Sequence, residues 1–246
     1  MKKLLALVLA VLMLVPAAAL ADTLILGSNC SFPPFEFIDD NGQPTGFDIE
    51  IGALIAEKMG KDLFVEDMSF DGLLMALDGK IDMCIAAMTI TDARREQADF
   101  SDSYFNAQQK IIVRADYDGI QSLEDIKDKQ VAVQEGTTGH ILATEELALP
   151  AEKVASFKNA ADAIMELLTG RADCVIIDTA PANVFVSVNG GKLVILEDIE
   201  TPAEDYGIAV KKGNTELLNA CNEVLAEIKA NGVYDELVAK YFTTAE

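Results

Sequence analysis

Apolar and polar positions along this chain repeat in two periods. Short runs rich in apolar and β-branched residues, at 23–27, 81–88, 130–134, 154–157, 174–177 and 206–210, read as strands. Between them the spacing turns helical. Residues 48–59 place Ile51, Leu54, Ile55 and Met59 on one face, and further helices are predicted over 73–77, from about Thr138, and over 160–168, 215–230 and 233–241. Buried strands alternating with amphipathic helices are the pattern of mostly parallel sheets flanked by helices, an α/β class. A weak internal echo, Leu77-Asp78-Gly79-Lys80-Ile81-Asp82 against Leu168-Thr169-Gly170-Arg171-Ala172-Asp173, joins a helix end to a buried strand twice, each Gly suited to the C′ position. The pattern predicts two α/β lobes: residues 22–106 plus 206–246, and residues 107–205. The chain crosses between them twice, near Tyr104–Gln108 and near Tyr206, which makes a hinge.

The first residues change the compartment. Lys2 and Lys3 precede an unbroken apolar run from Leu4 to Val15 and a small-residue stretch ending Ala19-Leu20-Ala21, the form of a cleaved export signal over residues 1–21. The apolar run is shorter than a spanning helix needs. Cys30 is the first cysteine, so no lipid anchor is evident, and a freely diffusing extracytoplasmic protein is expected. With 41 acidic and 19 basic residues the formal charge is −22, which repels nucleic acid and anionic lipid. The four cysteines (30, 84, 174 and 221) lack metal-ligand spacing and are expected as free, buried thiols. No metal or cofactor is expected.

Ligands of open parallel sheets gather beyond the carboxyl ends of the strands. Beyond the predicted strands stand, in turn, an aromatic segment (Phe32 to Phe35), Thr89 to Arg94, Gly136-Thr137-Thr138, and Asp178. Arg94 suits a carboxylate through two parallel charge-assisted hydrogen bonds, with a helix start near Thr138 adding favourable dipole ends. Asp178 and Thr89 suit an ammonium. Together these could hold a zwitterion.

Six ordered segments, Phe32-Pro-Pro-Phe35-Glu-Phe, Gly46-Phe-Asp-Ile-Glu-Ile51, Met88-Thr-Ile-Thr-Asp-Ala-Arg94, Asp99-Phe-Ser-Asp-Ser-Tyr104, Gln134-Glu-Gly-Thr-Thr138 and Tyr206-Gly-Ile-Ala-Val210, resemble the polar amino-acid-binding proteins of bacterial ABC importers, extracellular solute-binding family 3. The resemblance covers nearly all of the chain after residue 21. It implies the two-lobed type II periplasmic-binding-protein fold and a monomer that carries a free amino acid to a membrane permease. It also implies that Arg94 binds the ligand carboxylate with Thr89 as hydroxyl partner, and that Thr138 adds a backbone N–H. Asp178 and the Ala87 carbonyl hold the ammonium, while Phe32 and Phe70 enclose the stem. Compared with glutamine-binding members, Asn29 replaces an acid, Gln134 a lysine and Ile177 a histidine. These three positions are expected to read the side chain, and neutral polar and cationic ligands both fit. A dehydratase-like enzyme of the same fold, or an amino-acid sensor, is the alternative. The chain offers an enzyme little: its one histidine, His140, reads as structural, and there is no nucleophile elbow or phosphate loop.

Overall fold

The structure is a computed structural model that describes residues 23–242; the expected leader, residues 1–21, lies outside them. The chain begins with β1 (Thr23–Ser28), β2 (Ser31–Phe32), β3 (Glu36–Ile38), β4 (Pro44–Thr45), α1 (Phe47–Lys58), β5 (Asp62–Asp67), α2 (Leu73–Ala76), β6 (Met83–Cys84), α3 (Asp92–Gln97) and β7 (Ala98–Phe100). A long strand, β8 (Phe105–Arg114), leads into β9 (Val131–Gln134), α4 (Thr138–Ile141), β10 (Val154–Phe157), α5 (Ala160–Leu168), β11 (Cys174–Asp178), α6 (Thr179–Val188) and β12 (Leu193–Ile195). The return runs through β13 (Ala203–Tyr206), β14 (Ala209–Lys211), α7 (Thr215–Asn231) and α8 (Val233–Phe242).

Two principal sheets result. The first has the order β5-β1-β6-β14-β7 and the second β10-β9-β11-β8-β12, with β13 paired to β8. In each, three strands run parallel and the remaining two join antiparallel. Of the antiparallel strands, β8 is a hinge crossing and β14 follows the return strand β13, whereas β7 and β12 come directly after α3 and α6. Strand alternation explains why the central strands are apolar throughout. Leu24 and Leu26 face α1 through Ile51 and Ile55, while Ile25 packs on the opposite face with Leu73 and Leu77. In β11, Val175 and Ile177 take one face and Cys174 and Ile176 the other.

Two predicted strands are shorter than their apolar runs. Of residues 81–88 only Met83–Cys84 is strand, because the chain leaves the sheet for the cleft, where Ala87 takes φ 46°. The run 206–210 is divided between β13 and β14 where the chain turns from the hinge into the first sheet. All four cysteines are free and buried. Among the described residues no helix is long and apolar enough to cross a membrane.

The crossings are β8 and β13, paired antiparallel from Phe105↔Tyr206 to Gln108↔Ala203. An aromatic cluster roots them in the first lobe: the Phe35 ring lies 4.9 Å from Phe105, 5.3 Å from Tyr206 and 5.1 Å from Phe242. Backbone bonds from Ile90 N–H to the Asp205 carbonyl and from Gly207 N–H to the Met88 carbonyl fix the end of β13 to the same lobe.

Gly46, just before α1, shows how tightly the cleft wall is built. Its φ is 130°, and a Cβ there would lie 2.1 Å from the Phe35 carbonyl oxygen. Gly46→Ala should therefore destabilise the protein by about 2–3 kcal/mol or more, and Gly42→Ala, also at positive φ but in open space, by about 1 kcal/mol. Urea denaturation of the two variants checks this; equal losses would mean that the loop before α1 yields.

Candidate ligand-binding cleft

The two lobes meet at a narrow pocket. From the first lobe it is lined by Phe32, Phe70, Ala87, Thr89 and Arg94, and from the second by Gln134, Thr138 and Asp178. All seven residues expected to touch a ligand are thus brought together from segments far apart in the chain.

Arg94 dominates the electrostatics. Its backbone N–H is taken by the hydroxyl of Thr91, the N-cap of α3, at 3.2 Å, which fixes the first turn and aims the side chain inward. The guanidinium, only 7% exposed, donates from Nη1 to the Thr89 carbonyl at 2.7 Å and from Nη2 to the Gly136 carbonyl at 2.9 Å. It also lies 5.3 Å from the centroid of the Phe70 ring. Among the described residues it has no carboxylate at ion-pair distance. Burial pulls its pKa down, with Glu204 the main nearby charge acting the other way.

Asp178, at the end of β11, supplies the opposite charge. Its Oδ1 accepts from Gln109 Nε2 at 2.9 Å and from the Tyr206 hydroxyl at 2.6 Å. Burial, aided by the charge of Glu204, lifts its pKa to about 7. Thr138 is the first residue of α4, behind the Thr137 N-cap whose hydroxyl accepts the His140 N–H. A first-turn N–H has no intrahelical partner. His140 itself is engaged structurally: Nδ1 accepts from Gly136 N–H at 3.2 Å, and it does not line the cavity.

The three expected side-chain-reading positions separate. Gln134 lines the cavity and donates from Nε2 to Asn29 Oδ1 at 2.9 Å, a bond between lobes, while its Oε1 is buried without a donor. Asn29 does not line the cavity; it holds Gln134 and donates to the Met68 carbonyl. Ile177 lies in the core, because strand alternation turns it to the packed face beside Val175 and leaves its neighbour Asp178 at the cleft.

Two acids at the cleft stand outside the expected ligand contacts. Glu36 lines the cavity, is 1% exposed, and has an Oε2 without a donor. Beside it Asp48 is fully buried, its Oδ2 accepting from Ala87 N–H at 2.7 Å and from the Tyr104 hydroxyl at 2.8 Å. Burial raises both, Asp48 to about 6 and Glu36, further pushed by Asp48, well above the usual carboxylate range. An acid between two phenylalanines in an alternating strand is the only sequence signal for Glu36. The second is Glu204 of β13, whose Oε2 accepts from the hydroxyls of Thr89 and Thr138, each at 2.7 Å. The single proton of Thr89 is thereby given to Glu204 in this arrangement. Nothing distinguishes Glu204 in a chain with 41 acidic residues. Among the described residues no group of three His, Cys, Asp or Glu is placed to hold a metal ion.

Comparison with known proteins decides the family. The model of the bacterial extracellular solute-binding proteins, family 3, matches residues 24–244. The chain belongs to that family. Within it, the chain is similar to the L-arginine-binding protein of Pseudomonas aeruginosa, 33% identical over 97% of this chain and 94% of that protein. A probable histidine-binding protein of Neisseria gonorrhoeae is 34% identical over 92% of this chain and 85% of its own. Among solved structures, an ancestral arginine-binding protein bound to arginine superposes with a TM-score of 0.83 and 43% identity, covering 90% of this chain and 99% of that one. These family members are named as binding proteins, not enzymes, and they share the two-lobed fold.

The buried acid pair makes a prediction independent of any ligand. The Glu36 pKa is raised by folding, so its ionisation opposes the fold: the penalty is absent below the ordinary value of 4.5 and grows as pH rises towards the folded value. Glu36→Gln removes the penalty. The variant should gain stability over the parent by up to about 1.4 kcal/mol per pH unit between pH 5 and 7 in urea denaturation. A difference that does not widen would mean that Glu36 is not held as a neutral acid.

Proposed function

We propose that this protein is exported by a leader over residues 1–21 and, as a monomer, captures a free amino acid with a cationic side chain between its lobes for delivery to an ABC-importer permease. The observation that carries this reading is the pairing of Arg94 with Asp178 across one closed cavity. A buried guanidinium bonded only to carbonyls and a ring is an incomplete ion pair, and a ligand carboxylate completes it. A buried Asp178 raised to about 7 becomes more acidic when an ammonium arrives, so both head groups of a zwitterion are answered.

Two further residues of the cavity lining bear on the side chain. Gln134 Oε1 is a buried acceptor without a donor, and Glu36, which lines the same cavity, is a buried acid that a neighbouring cation would ionise. A guanidinium or ammonium supplies several donors and a positive charge there, whereas an apolar side chain leaves both unanswered. Relatives named for arginine and histidine binding support this reading, although one named for L-cystine binding shows that the family also takes a side chain without net charge. Phe32 and Phe70 enclose the stem. The Thr138 N–H assists the carboxylate, and the Ala87 carbonyl assists the ammonium.

Closure is the expected mechanism of capture. Arg94 to the Gly136 carbonyl, Gln134 to Asn29, and the ion pair of Lys158 with Asp71 at 2.9 Å all join one lobe to the other and would break on opening about β8 and β13. A ligand that bridges Arg94 and Asp178 binds the closed form better, and shifts the equilibrium by that difference.

Arg94→Ala should reduce amino-acid binding by 2–5 kcal/mol or thereabouts, on the order of 30-fold to several thousand-fold, whereas Arg95→Ala, exposed over Phe100, should leave it unchanged. Titration calorimetry, with the ligand chosen from a thermal-shift panel of amino acids, checks this. Cationic amino acids should raise the melting temperature most. Equal losses in the two variants, or conversion of the ligand to a product, would overturn the reading.

A further inference from the structure

Glu204 lies on the hinge strand β13, opposite Ala107 of β8, and its side chain is half-buried. One carboxylate oxygen, Oε2, accepts two hydroxyl protons: from Thr89 of the first lobe and Thr138 of the second, both at 2.7 Å. These are short, charge-assisted bonds. We propose that Glu204 is a positioning residue of the binding cleft, a hinge-mounted clasp whose bond to Thr138 exists only when the lobes are closed and which thereby strengthens ligand retention. The inference rests on the amino-acid-binding function proposed for the cleft.

The two bonds differ in kind. Thr89 forms a backbone bridge with Tyr206, and its neighbour Ile90 donates to the Asp205 carbonyl, so Thr89 and Glu204 belong to one rigid piece. The Thr89 hydroxyl therefore aims the carboxylate. Thr138 moves with the second lobe, and its oxygen also accepts from Gln109 Nε2 at 3.0 Å. With that lone pair occupied and its one proton directed away from Gln109, the hydroxyl is oriented to donate to Glu204. Gln109 uses the same Nε2 to reach Asp178, so the clasp and the ammonium-facing carboxylate share one chain of hydrogen bonds: Glu204, Thr138, Gln109, Asp178, Tyr206.

Committing both hydroxyls to Glu204 also divides the labour in the cleft. The ligand carboxylate is left to the Arg94 guanidinium and backbone N–H groups, while the hydroxyls serve closure. The same atoms admit an opposite role, with Glu204 as an internal substitute for the ligand's own carboxylate, displaced on binding. That role predicts the opposite effect of removing it, so experiment separates them.

The test is titration calorimetry and stopped-flow dissociation with L-arginine on the wild type, Glu204→Ala, Glu204→Gln, Thr138→Ala and the double variant Glu204→Ala/Thr138→Ala. Glu204→Ala should bind about 10- to 100-fold more weakly, nearly all of it in faster dissociation. Glu204→Gln keeps a carbonyl oxygen able to accept both hydroxyls and should stay within about 3-fold of wild type, which also shows that the position tolerates change without unfolding. The double variant should be little worse than the weaker single variant, since both single changes remove the Glu204–Thr138 bond. Unchanged or tighter binding by Glu204→Ala would overturn the clasp, as would a Glu204→Gln loss equal to that of alanine or strict additivity in the double variant. A wild type that binds no amino acid would instead contradict the functional reading on which the clasp depends.

Discussion

A buried guanidinium with no carboxylate beside it is the constraint on which the rest of this molecule turns. Removing a cation from water costs several kcal/mol unless its donors are met, and the protein meets those of Arg94 only in part. Thr89 and Gly136 lend carbonyls and Phe70 lends a ring face. One of those carbonyls belongs to each lobe, so the charge itself helps to hold the lobes together. Under the proposed function a ligand carboxylate meets the remaining demand, and Asp178, lining the same pocket, takes the ammonium.

The architecture can be understood as the means of meeting that demand reversibly. A single rigid domain could bury the same charges, but a ligand would then have no way in. Two sheets joined only by β8 and β13 allow the walls to separate while each keeps its own core. The aromatic cluster around Phe35 anchors both crossing strands to the first lobe, so the proposed closure would move the second lobe as a body. The buried acids beneath the cleft act in the same sense. Glu36 and Asp48 each oppose the other's ionisation, and under the proposed function a cationic side chain beside Glu36 would relieve that opposition.

Much of this is legible in the sequence, for identifiable reasons. Strands buried on both faces announce themselves as apolar runs, as β1 and β11 do, and helices as 3.6-residue repeats, as α1 does. Arg94 is legible because Thr91 caps its helix three residues earlier, and Asp178 because it ends an apolar run. The strand predicted at 81–88 is overextended because burial in a cleft wall and burial in a sheet select the same residues; Ala87 at positive φ looks no different from an alanine in a strand. Ile177 is expected to read the ligand, yet strand parity sends it to the core. Glu36 and Glu204 escape a reading of the sequence because their importance lies in long-range partners, Asp48 in one case and two threonines in the other, which no local pattern encodes.

The central proposal is that the cleft places a ligand carboxylate on Arg94 while Glu36 and Gln134 meet a cationic side chain. Comparing L-arginine with its decarboxylated analogue agmatine by titration calorimetry isolates the first half, since the two share the guanidinium and differ in the carboxylate. The account predicts that L-arginine binds at least about 100-fold more tightly than agmatine, the difference a bidentate, water-excluded ion pair supplies, and that Arg94→Ala shrinks this ratio towards unity. Agmatine binding as tightly as L-arginine to the wild-type protein would contradict it.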